Sequence, residues 1–209
     1  MSGIIHHKIY FKVAKEKLNS ALDCEKSLIS WMTDTCHWKK QDSIDQSYSE
    51  LVEDSISSII FSGLTVESFI NYYGITRLSK SQFDNYLDKL DLLSKWIVIP
   101  KFITGKSIDT GSQSIEFLTK LIQSRNKLVH YKSSDNSIKD FYDMISSLQN
   151  NIQKQRPPWI KDAEISVLAI YKLLEDIIKI DSSITQEELE WKEEINNFFE
   201  LWSVEDCTK

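Results

Sequence analysis

Glycine and proline are scarce, five and three residues in a chain of 209, which argues against a loop-rich fold because these two residues punctuate turns. No Gly/Pro-rich linker divides the chain, so one sizeable domain is expected rather than two. Cysteine is equally sparse: Cys24, Cys36 and Cys207 are odd in number, far apart and without a CxxC pair. That excludes a disulfide scaffold and fits a reducing interior. Cys36-His37 has the residue types of half a metal site, but no second half follows at ligand spacing, so no metal is expected. Positive charge is also in deficit. A formal net charge of −6 argues against duplex DNA, whose nonspecific binding needs many cationic contacts, while a localised RNA site is compatible with it. No apolar run approaches the roughly 18 to 20 residues a membrane span needs, and the first residues lack a basic-then-apolar signal region. The expectation is a cytoplasmic protein with no membrane contact.

What the chain has in abundance is helical periodicity, and an all-α class follows from it. Val13 to Met32 places Leu18, Leu22, Leu28, Ile29 and Met32 at near-helical spacing. His6 and His7 precede that helix and are read as solvated. Thr33 to Ser43 reads as a loop anchored by Trp38. Ile44 to Tyr73 is the expected central helix, ended by a left-handed cap at Gly74. Ser79 to Lys95 is another amphipathic helix, as are 137 to 154 and 160 to 180, the latter two separated by Arg156-Pro157-Pro158-Trp159. Thr185-Gln186-Glu187-Glu188 matches a capping box and opens a last helix to about Trp202. The aromatics of that helix, Trp191, Phe198, Phe199 and Trp202, have acidic neighbours, which favours packing or a subunit contact over stacking on bases. Thr104-Gly105-Lys106-Ser107 imitates the end of a phosphate loop. The first glycine of GxxxxGK[ST] would fall at Pro100, which has no N–H to offer, and no nucleotide cofactor is expected.

One stretch stands apart. Ser114 to Lys132 reads as a single helix, with Arg125 in the middle of its apolar stripe: Phe117, Leu118, Leu121, Ile122, Leu128 and Val129 all lie within roughly 80° of it. Asn126 and His130 lie about 100° and 140° round, where the polar arc begins. A guanidinium keeps its proton, so a core-facing position must be met by carboxylates, carbonyls or an outside anion. Glu67, the one acid in the buried half of the central helix, is a candidate partner. A structural arginine clamped by a neighbouring carboxylate satisfies the same geometry, with His130 a half-exposed surface histidine. Asn126 and His130 are also i,i+4 neighbours, so the amide can orient the imidazole.

Arg125-Asn126-Lys127-Leu128-Val129-His130 resembles the R-x4-6-H motif, with a polar residue directly after the arginine, of the HEPN superfamily. Ser62 to Asn71 resembles the apolar helix that often precedes the motif in such proteins, and the likeness extends loosely over 45 to 180. The resemblance implies a single-domain HEPN-like helical bundle with that core, extra N-terminal helical sequence and a C-terminal helix within 181 to 209. It also implies a metal-independent endoribonuclease of the toxin–antitoxin or abortive-infection kind. In such a homodimer, Arg125, Asn126 and His130 of both copies would line one cleft. Lys127 and Lys132 would then contact phosphate, RNA would be the substrate and an antitoxin protein a candidate partner. One departure stands out. Toxins paired with a nucleotidyltransferase antitoxin usually carry tyrosine two positions after the histidine, whereas here Tyr131 is adjacent and Lys132 takes the second place. The rival reading is a non-catalytic HEPN-like helical dimer that binds a nucleotide, RNA or a partner protein.

Overall fold

The computed structural model describes residues 6–32, 41–129 and 158–201, and within them all regular structure is helical. In chain order the elements are α1 (His6–Met32), α2 (Gln41–Arg77), a short α3 (Lys80–Gln82) running into a π turn (Phe83–Leu87), α4 (Leu92–Thr104), α5 (Gln113–Val129), α6 (Pro158–Ile180) and α7 (Gln186–Leu201). No helix among the described residues is long and apolar enough to cross a membrane. The expected helix over 137 to 154 lies outside the described residues. The segments gather into two compact units, one of residues 1–9, 64–119 and 168–209, the other of 10–63 and 120–167.

In the second of these units α1 and α2 form an antiparallel pair. Tyr10 meets Phe61 with ring centroids 6.1 Å apart, Ser58 Oγ donates to the Ala14 carbonyl at 3.0 Å, and Lys17 Nζ lies 2.7 Å from Asp54 Oδ1. The close approach follows from small inward residues: Ala14, Ala21, Ser55 and Ser58 are all fully buried. Along α1 the buried positions Phe11, Ala14, Leu18, Ala21, Glu25 and Leu28 alternate in steps of three and four, the narrow seam of a coiled-coil-like contact. That seam begins earlier than the expected start at Val13. His7 occupies the step before Phe11 and is 2% exposed, so the reading of His7 as solvated is corrected, while His6 is exposed.

The other unit corrects two more expectations. Gly74 is not a cap. α2 continues through it to Arg77, and the glycine is there because a Cβ would sit 2.8 and 2.9 Å from ring carbons of Phe83 and 3.3 Å from Ile99 Cγ2. Nor is 79 to 95 one helix. Ser79 caps α3 through a capping box with Gln82, the chain then loosens into the π turn, and Asp91 starts a new helix by accepting from the Ser94 N–H at 3.0 Å. α4 absorbs Trp96 to Pro100 and ends on Gly105 at φ 77°, whose N–H bonds the Lys101 carbonyl. The GKS segment is thus a helix end and not a strand-fed loop. Inside α4, Lys95 is buried and its Nζ donates to Asn71 Oδ1 at 3.0 Å.

The last two helices are fastened by one cation. Arg77 Nη1 and Nη2 grip both oxygens of Glu188 at 3.0 and 2.9 Å, and Nε donates to Asp181 Oδ2 at 2.9 Å. Tyr73 donates to the same Asp181 oxygen at 2.7 Å, and its ring lies 4.1 Å beneath the guanidinium carbon. Ser183 supplies its N–H and hydroxyl to Asp181 Oδ1. Burial alone would raise both carboxyls, but these donors outweigh it and hold Asp181 and Glu188 below the usual carboxylate range. Burial and the bond to Asp181 push the Tyr73 phenol up. The expected capping box is present: Glu188 Oε2 accepts from the Thr185 N–H at 2.7 Å, and Thr185 Oγ1 accepts from the Glu188 N–H at 3.4 Å. Trp191 and Phe198 on α7 are buried, as the packing reading expects.

Two stability measurements follow. Arg77→Ala strands two buried carboxylates and should lower the unfolding free energy by about 3–5 kcal/mol in urea titrations. Gly74→Ala should lower Tm even though alanine favours helix by about 1 kcal/mol over glycine. Adding Phe83→Leu should recover most of that loss, because the two positions share one contact.

Candidate functional site

α5 arises from an amphipathic stretch, and the structure keeps the expected register through Ser124, whereas Val129, expected on the same apolar stripe, is 59% exposed. Ser114, Ile115, Leu118, Leu121 and Ser124 are buried, an inward arc that spans about 180° and includes the direction of Arg125. The helix begins at Gln113 and is described through Val129. Its inward serines are tied to α6. Ser114 Oγ donates to Asp176 Oδ2 at 2.7 Å in one unit, and Ser124 Oγ donates to Asp162 Oδ2 at 3.1 Å in the other.

Arg125 is half-buried, and its stem crosses the bare backbone of α2. A Cβ on Gly63 would lie 2.9 Å from Arg125 Cδ and 3.5 Å from Nε. The aliphatic stem therefore covers α2 backbone where no side chain stands between, an arrangement that suits a long cationic residue with an apolar body. Asn126 and Lys127 are exposed, turned about 100° and 160° from Arg125 round the helix. The structure thus sets Arg125 inward and Asn126 and Lys127 outward. His130 and Lys132 lie outside the described residues, as does Tyr131. Glu67 is half-buried one turn beyond Gly63 on α2 and belongs to the other unit. Among the described residues no three His, Cys, Asp or Glu side chains come together as a metal site needs.

Perturbed ionisations can mark functional sites, and those of Arg77, Asp181, Glu188 and Tyr73 were not foreseen as a group. They are internally satisfied donors and acceptors, which is the structural use of such a cluster. The capping box named Glu188, but nothing local to Arg77 announces a partner more than a hundred residues away. Gly63 is the other omission. A lone glycine within an apolar helix is a recognised sign of close backbone approach, and here what approaches is the arginine of interest.

Gly63→Ala should therefore act through Arg125. The methyl group forces the stem aside while helix propensity rises by about 1 kcal/mol. Thermal unfolding of Gly63→Ala, Arg125→Ala and the double variant should show strong coupling, with the double variant more stable than the sum of the singles implies. No protein-family model matches the chain, and no characterised protein or solved structure matches it either.

Proposed function

We propose that this chain is a metal-independent endoribonuclease of the HEPN type, acting as a toxin or phage-defence effector, with a composite site at a homodimer interface. The observation that carries the reading is the placement of Arg125: a permanent cation on the inward arc of α5, its stem laid over Gly63, at the head of the segment Arg125 to His130 that resembles the HEPN motif. In this reading His130 of one copy removes the 2′-hydroxyl proton, and the resulting oxygen attacks the adjacent phosphorus. The bond to the 5′-oxygen breaks, and His130 of the second copy returns a proton to that leaving group. The products are a 2′,3′-cyclic phosphate and a free 5′-hydroxyl. An imidazole with an ordinary pKa near 6.5 suits both proton transfers. The Arg125 guanidinium meets the charge that builds on the phosphate oxygens, which a planar fork does better than an ammonium. Asn126 orients His130 or holds phosphate, and Lys127 and Lys132 add phosphate contacts.

The rival reading is the non-catalytic helical dimer that binds nucleotide, RNA or protein. The observation favouring it is that Arg125 turns inward while Asn126 and Lys127 face outward, a division suited to a structural arginine.

The two readings separate in one assay. Purified protein incubated with RNA in the presence of a chelator should release fragments ending in 2′,3′-cyclic phosphate. His130→Ala should slow cleavage by about 10² to 10⁴, and Arg125→Ala by about 10² to 10³, with Arg125→Lys also impaired. Cleavage that survives His130→Ala, or a protein that stays monomeric at micromolar concentration, overturns the composite ribonuclease site.

A further inference from the structure

The first turn of α1 carries a titratable group that the proposed ribonuclease site does not use. Of its four side chains, His6 is exposed, Lys8 partly so and Ile9 half-exposed, whereas His7 is 2% exposed. His7 is thus the buried side chain of this turn. Its ring centroid lies 4.6 Å from Trp191 on α7 and 5.2 and 5.4 Å from Tyr72 and Phe69 on α2. Trp191 and Phe69 are themselves 1% exposed, so the imidazole has exchanged water for aromatic surface.

A proton added there must be held without solvent. From its own helix, Lys8 and His6 oppose the charge. From α7, Glu188 favours it, but both of that carboxylate's oxygens are already gripped by Arg77, a cation from the end of α2. Tyr73 from α2 is a neutral phenol at these pH values, its titration pushed up by burial and the bond to Asp181. The attraction of aromatic faces for a cation offsets only part of the cost. Burial dominates, and the ring is pushed down to about 4 from its ordinary 6.5.

We infer that the first turn of α1 is an acid-released latch, seated on the aromatic surface of α2 and α7 while His7 is neutral and expelled when His7 takes up a proton, with α7 remaining in place. The sign follows from proton linkage. The released turn binds its proton near 6.5 and the seated one near 4, so between those values the released form holds more protons and falling pH favours it. Those two values weaken seating by about 20-fold from pH 7 to pH 5. Asp181 and Glu188 are held below ordinary carboxylate values, so from pH 7 to pH 5 they keep α7 on Arg77.

Hydrogen–deuterium exchange on the full chain tests this. The amides of Tyr10 to Val13 bond the carbonyls of His6 to Ile9 in a regular helix, and their protection reports the seated turn. Comparison with His7→Phe at each pH cancels the intrinsic pH dependence of exchange. From pH 7 to pH 5, wild-type protection at these amides should fall about 20-fold further than in His7→Phe, while the amides of Trp191 to Ile195 keep theirs. Parallel behaviour of the two proteins, or simultaneous loss of protection in α7, overturns the latch. Should His7→Phe fail to fold, wild-type His7 decides: a C–H resonance titrating well below 6.5 with loss of Tyr10 to Val13 protection over the same pH range supports the latch, and titration near 6.5, or protection that does not change, overturns it.

Discussion

A charge withdrawn from water has to be met by other charges or dipoles, and in this chain that requirement decides where the C-terminal helices lie. Arg77 sits at the last turn of α2 with its side chain 10% exposed. It is met by two carboxylates, a bidentate one from α7 and a second from the residue that follows α6. Each carboxylate is in turn met by further donors, so no oxygen of the pair is left to water or to an empty interior. Replacing the whole group by hydrocarbon is often neutral in such cases, whereas removing one member is costly. The arrangement consequently acts as a specifier of position more than as a reservoir of stability. Given that anchor, Trp191 one turn further along α7 meets His7, Phe69 and the aromatic core around them.

Much of this architecture was legible because helices announce themselves by period. α2 and α6 appear within a few residues of their expected limits and α5 and α7 near their expected starts, and the Thr185–Glu188 box marks its helix start directly. The errors have physical causes. Gly74 looks like a cap because glycine tolerates left-handed backbone, yet its other property, the missing Cβ, is the one in use against Phe83. The split of 79 to 95 turns on Asp91 and Ser94, a capping pair hidden inside a stretch whose leucines keep helical spacing on both sides. His7 escapes a seam of α1 that starts at Val13. Carried back in steps of four and three from Leu28, it lands on Phe11 and then on His7.

The candidate site was legible only as far as one helix can be. Period alone placed Arg125 on the inward face of α5 and Asn126 and Lys127 outside it, and the structure agrees. What the inward face would meet depended on α2, and no pattern within either helix says that Gly63 stands opposite the arginine stem. Long-range pairings of this kind leave no local trace, which is also why Arg77 and its two carboxylates went unread.

The single side chain of Glu188 serves two ends at once. Its carboxylate closes the box that nucleates α7 and also grips Arg77. Winding the first turn of that helix and seating it on its neighbour are therefore one event. A nascent α7 has little to gain from forming alone, and a formed one has little freedom to fray at its start. The segment should join the folding transition of its unit as a cooperative whole, with no separately melting C-terminal arm.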